Sequence, residues 1–153
     1  MTFFVDRDLG PRVGRALREV KVDVVLHAER FAPREADKVW LTAVSKEQQV
    51  ILTRDRHIRG RPAERKAFEE AGARCFVVTT GVSTPLEDLR ALLIAWPLIR
   101  QRVAEMPAPF MYGVSKEGRL TQYIPTTGPA GPAARAKTAG KGRRRTKGLA
   151  EPA

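Results

Sequence analysis

Short runs of β-branched and aromatic residues alternate along this chain with amphipathic stretches, and two of the runs end in an aspartate. Phe3-Phe4-Val5 stops at Asp6-Arg7-Asp8, and after Gly10-Pro11 the residues Val13, Leu17 and Val20 recur at helical spacing. Residues 22–26 form a second apolar run, too short for a helix and suited to a buried strand. Residues 27–33 read as a loop, and 35–47 as a helix with Val39, Trp40, Ala43 and Val44 on one face. A third strand at 50–53 is closed by Arg54-Asp55-Arg56.

The second half keeps the rhythm. Residues 62–71 predict a helix stopped by Gly72, and 75–79 a fourth strand. Thr84-Pro85-Leu86-Glu87 has the form of an N-cap with proline at the first helical position and an acid completing a capping box. The helix it opens runs through Leu89, Leu92, Leu93, Trp96 and Ile99 to about residue 105, with a kink expected at Pro97. Extended pieces at 109–114 and 119–124 flank Lys116-Glu117-Gly118, which predicts a hairpin. Strands alternating with helices call for a three-layer α/β/α fold around a mostly parallel sheet of four to five strands, followed by that hairpin.

Ligands of such sheets bind beyond the carboxyl ends of the strands, where Asp6, Asp8 and Asp55 fall. Carboxylates gathered at one edge repel one another, so their convergence favours a hard cation, Mg²⁺ or Mn²⁺, with oxygen ligands. An ion so held activates water and stabilises a phosphodiester under in-line attack. Asp6, Asp37 and Asp55 are the leading candidates; Asp37 sits in the first turn of the helix that leads into the strand ending at Asp55. Singly, each has a plainer explanation, Asp37 as a helix-start acid and the other two as turn formers.

The segments Asp37-Lys-Val-Trp-Leu-Thr-Ala-Val44 and Val50-Ile-Leu-Thr-Arg-Asp-Arg-His-Ile58 resemble the paired signature of PIN-domain ribonucleases, and Phe3-Phe-Val-Asp6 is similar to that family's first strand and first metal-binding acid. The likeness spans roughly residues 3–80 and is nearest to small PIN-like proteins related to VapC-type toxins. It implies a metal-dependent endoribonuclease in which Asp6, Asp37 and Asp55 hold Mg²⁺ or Mn²⁺ and orient water. It also implies a toxin role with a small antitoxin protein over the acidic cleft, and a homodimer. Larger members carry a further acid in a region that is shortened here; Glu29 is the substitute candidate, with Asp8 behind it.

Around these acids, Arg7, Arg54, Arg56, Arg59 and Arg61 suit contacts with an RNA backbone, or equally neutralise the carboxylates. Thr53 and His57 are further candidate substrate contacts, each with a structural alternative: strand preference for Thr53, an exposed turn position for His57. Trp40 and Trp96 lie on apolar helix faces and read as core or interface residues before base-stacking platforms.

The net charge of +11 divides. Residues 128–153 hold seven cations against Glu151, a net of +6, and residues 1–127 hold 21 cations against 16 acids, a net of +5. With its Gly, Pro, Ala and Thr and no apolar period, the segment 126–153 reads as a disordered basic tail after a domain of residues 1–125. A lone Cys75 in an apolar run excludes a disulfide framework and a CxxC zinc site, and points to a reducing, cytoplasmic setting. Asp6 interrupts what a signal peptide would need, and no apolar run reaches membrane-spanning length.

Two other functions compete. A non-catalytic, basic nucleic-acid-binding module with a degenerate site accounts for the charge. The segment Phe3-Phe-Val-Asp-Arg-Asp8 also resembles the Asp-x-Asp of haloacid-dehalogenase-type phosphatases, but no later strand carries the paired acids that such enzymes use for Mg²⁺.

Overall fold

Every residue of β1 (Phe3–Val5) and β3 (Val50–Thr53) is buried, as expected of strands covered on both faces. They lie at the heart of a six-stranded sheet in a computed structural model that describes residues 1–124, apart from the side chain of Arg59. The other strands are β2 (Val24–Leu26), β4 (Arg74–Val78), β5 (Phe110–Val114) and β6 (Leu120–Ile124). The order is β2-β1-β3-β4-β5-β6, parallel except for the antiparallel pair β5–β6. The expected hairpin is therefore not an appendage: β5 pairs with β4 in parallel, and the hairpin completes the sheet. The proposed tail, 126–153, lies outside the described residues.

Strand alternation sends successive side chains to opposite faces and divides the core in two. On one face Phe3, Val5, Leu52, Phe76 and Tyr112 pack beneath α1 (Pro11–Glu19) and α6 (Pro85–Glu105). On the other Phe4, Ile51, Cys75, Val77 and Met111 meet Trp40, Leu41 and Val44 of α3 (Asp37–Lys46) and Phe68 of α5 (Pro62–Glu70). Full burial of a side chain such as Phe4, Phe68 or Ile51 contributes about 1.5–3 kcal/mol. Three layers result, as the alternation requires.

Two four-residue helices, α2 (His27–Arg30) and α4 (His57–Gly60), occupy stretches too short to display a helical period. Thr84 caps α6: its hydroxyl accepts from the Glu87 amide, and the Glu87 carboxylate accepts from the Thr84 amide at 2.7 Å. The helix continues through Pro97, which is on the exposed face. Gly118, in the β5–β6 turn, has φ +76, and a Cβ there would come within 2.4 Å of the Ile94 side chain and 3.0 Å of the Ala95 nitrogen. Glycine lets the turn rest directly on α6.

Candidate active site

From β1 the chain passes to β2 on one side, and later to β3 on the other, so β1 and β3 flank the point where strand order reverses. Crevices for ligands open at such switch points. Asp6 directly follows β1, and Thr53 ends β3. The Thr53 hydroxyl donates to Asp6 Oδ2 at 2.9 Å and accepts from the Asp55 amide at 3.0 Å. A single buried oxygen thereby joins the ends of both strands. Asp6 Oδ1 accepts from the Arg7 amide at 2.7 Å, and Asp55 Oδ1 from the His57 amide at 2.8 Å.

Asp6 is 4% exposed. Burial raises its pKa to about 6, opposed by the Thr53 and Arg7 hydrogen bonds and reinforced by the charges of Asp8 and Asp37. Asp37 sits at the start of α3 with its Oδ1 accepting from the Trp40 indole at 3.0 Å, and the Arg7 guanidinium stands 3.7 Å from the same oxygen. Arg7 also donates to the Pro33 carbonyl. Asp6, Asp8 and Asp37 thus share one electrostatic neighbourhood. Asp55 joins Asp6 in raising the pKa of the buried Cys75 thiol, after the larger effect of desolvation.

Of the remaining sequence candidates, Glu29, Arg54 and Arg61 are paired elsewhere. Glu29 takes a bidentate pair from Arg18 at 3.0 and 2.9 Å and the Leu26 amide at 3.0 Å, tying α2 to α1 and β2. These partners hold its carboxyl below the usual range, the Arg18 bond contributing most. Arg54 turns to the other layer, where it meets Asp88 at 3.2 Å and the Gly81 carbonyl. Thr53 is fully buried, with its proton committed to Asp6; Arg56 and His57 are exposed. Arg61 pairs with Glu64 at 3.0 Å.

Sequence reasoning did not single out Asp88 as a site residue; it is a buried carboxylate accepting from Thr80, Ser83 and Arg54. It also passed over His27, which is 3% exposed among Phe4, Phe31 and Trp40, with Nε2 lacking a hydrogen-bond partner. Its pKa is lowered by burial first and by Arg7 second. The signal for either was faint, since each depends on neighbours distant in sequence.

The donors at the switch point are carboxylate oxygens, the chemistry of a hard cation. Asp6 carries a buried charge with no cationic partner bonded to it, which a bound divalent ion would supply; in donor type and charge the residues fit Mg²⁺ or Mn²⁺. As the side chains stand, no three Asp, Glu, His or Cys groups among the described residues lie close enough together to hold one ion. Also among the described residues, no helix is long and apolar enough to cross a membrane.

A Mycobacterium tuberculosis (strain ATCC 25618 / H37Rv) protein named "Putative ribonuclease VapC45" is 29% identical to this chain over 116 residues, covering 72% of this chain and 83% of the relative. No solved structure matched. The family model described as "PIN like domain" matches residues 1–80, which include β1, α3 and β3 and with them Asp6, Asp37 and Asp55. By this match over more than half its length, the chain belongs to the PIN-like domain family.

Proposed function

We propose that this protein is a metal-dependent endoribonuclease whose centre is Asp6, with Asp37 and Asp55 completing the ligand set and Asp8 as the nearest further acid. The observation that carries the reading is the Thr53 bridge, which ties Asp6 to the backbone of Asp55 across the switch point. Mg²⁺ or Mn²⁺ bound there supplies an activated water and a charge clamp on the phosphodiester. The chain's own contribution is to fix the Asp6 carboxylate through the Thr53 hydroxyl and the Arg7 amide, and to hold the Asp37 carboxylate through the Trp40 indole.

The ion pair between Arg7 and Asp37 is the visible obstacle to closure. Its side chains are 42% and 51% exposed, and such a pair is worth about 0–1 kcal/mol. Displacing Arg7 onto a substrate phosphate exchanges this pair and the Pro33 carbonyl bond for a phosphate contact, and it releases the Asp37 carboxylate. Glu29 contributes least to this reading, because leaving its place would break the Arg18 pair and uncover the Leu26 amide.

From the resemblance to small PIN-like proteins related to VapC-type toxins, we further infer a toxin of a toxin–antitoxin pair acting in the cytoplasm, with a small protein antitoxin covering the cleft. Leu86, Leu93, Ile94 and Leu98 expose an apolar strip on α6, which suits a homodimer. A second reading, a nucleic-acid-binding module without catalysis, is favoured by the absence of a ready three-acid cluster among the described residues.

Cleavage of single-stranded RNA with Mg²⁺ or Mn²⁺ separates the two. Asp6→Asn, Asp37→Asn and Asp55→Asn should each lower the rate on the order of 100-fold or more while RNA binding persists. Equal cleavage by all four proteins, or none by the wild type, would remove the nuclease reading.

A further inference from the structure

Beside the acid centre, along the sheet, is a second feature. Thr53 is in register with Val77 of β4, and Val77 with Gly113 of β5. Two strand spacings, about 10 Å, separate Thr53 from Gly113 along this row. Val77 belongs to the same face of the sheet as Ile51 and Cys75. A cavity of about 130 Å³ opens here, lined by Arg56, Val77, Thr79 and Tyr123.

The aromatic wall of this cavity is held by a specific vacancy in the strand. A Cβ on Gly113 would lie 2.2 Å from the Tyr123 hydroxyl oxygen, 2.4 Å from Cζ and 2.7 Å from Cε2. The ring therefore lies across β5 only because position 113 has no side chain. Packing an aromatic ring over a strand glycine is a known way to stabilise a sheet. That alone does not account for a guanidinium and an open cavity beside the ring, one residue from Asp55. Arg56 is exposed and follows Asp55 in the chain, so it borders both the acids and the cavity.

We propose that Tyr123 and Arg56 form a nucleobase-binding subsite: the ring of Tyr123 stacks on the base of a nucleotide whose phosphate lies at the acid centre, and the Arg56 guanidinium closes over that base. Aromatic rings and guanidinium planes are the common platforms for unstacked bases in single-stranded RNA. Val77 provides the apolar floor. Such a subsite takes an extruded base and excludes a paired one. The inference rests on the nuclease reading for the position of the phosphate, but its test does not need cleavage.

The full-length protein, with EDTA present, is titrated against a fluorescein-labelled six-nucleotide single-stranded RNA and against the same ribose-phosphate chain without bases. Wild type should bind the base-bearing strand about tenfold more tightly, as expected for one stacked base. Tyr123→Phe should retain that ratio, and Tyr123→Leu should bring it close to one without changing affinity for the abasic strand. A folded Tyr123→Leu with the wild-type ratio would overturn the proposal. If Tyr123→Leu does not fold, Arg56→Gln decides: loss confined to the base-bearing strand supports the subsite, and equal loss on both strands, the mark of a phosphate contact, overturns it. A wild-type ratio of one, with intact Asp6-dependent cleavage, removes the subsite alone. A ratio near ten without cleavage removes the nuclease reading and leaves the base site standing.

Discussion

Replacing Asp6 by asparagine should make the protein more stable at neutral pH, and the gain should vanish in acid. In the native state the Asp6 pKa is raised from 3.8 to about 6, chiefly by desolvation. The native protein therefore holds a proton between these values that the unfolded chain has released, so the contribution of Asp6 to stability is greatest below pH 3.8 and is lost as pH rises through 6. The rise from 3.8 to about 6 corresponds to about 3 kcal/mol. The asparagine side chain cannot ionise and escapes that loss. Its single carbonyl can serve only one of the two donors, Thr53 or Arg7, at a cost of about 1 kcal/mol. The Asp6→Asn variant should be about 2 kcal/mol more stable than wild type at pH 7.5 and about 1 kcal/mol less stable at pH 3.8. Urea denaturation with EDTA present, followed by fluorescence of the buried Trp40 and the half-buried Trp96, measures both. A difference that stays constant across this pH range would refute the argument, as would one that shrinks as pH rises. The same substitution should abolish metal-dependent cleavage, placing stability and function in opposition at one residue.

Three further outcomes are expected. Arg54→Met should cost about 2–4 kcal/mol in urea denaturation by leaving the Asp88 carboxylate buried without its cation, and a loss under about 0.5 kcal/mol would show that Thr80 and Ser83 suffice. The lowered pKa of His27 means that the native state resists a proton which the unfolded chain accepts near pH 6.5, so its contribution is present above that pH and is lost in acid. His27→Phe should lose less stability on acidification from pH 7 to 5 than wild type does, and parallel pH profiles would count against this account. Deleting residues 128–153 removes a net charge of +6; it should flatten the dependence of RNA affinity on salt while leaving cleavage of a short RNA at low salt intact, and loss of that cleavage would show that the segment serves the chemistry.

The parts of this molecule written in local sequence were legible, and those written in distant pairings were not. Thr84 and Glu87 are three residues apart, and their capping box follows from spacing alone. The alternation of apolar runs and helical periods likewise yields the parallel layers. The place of β5 was hidden, because Phe110-Met111-Tyr112-Gly113-Val114 looks the same in an isolated hairpin as in a strand paired with β4. At the site, Asp6 and Asp55 stand out because each closes a strand. Arg54 looked like a phosphate contact because its neighbour in sequence is an acid, whereas its partner Asp88 is 34 residues away. Glu29 looked like a ligand for want of sight of Arg18 on a different helix.

Arg54 has a mechanical consequence. Its neighbour Thr53 is fastened to Asp6 among the acids on the α3 side of the sheet, while its own guanidinium is fastened to Asp88 and Gly81 under α6 on the opposite side. The strand end before Asp55 is thus guyed from both sides, like a mast between stays. Asp55 therefore leaves a stretch of backbone that is anchored in both helical layers.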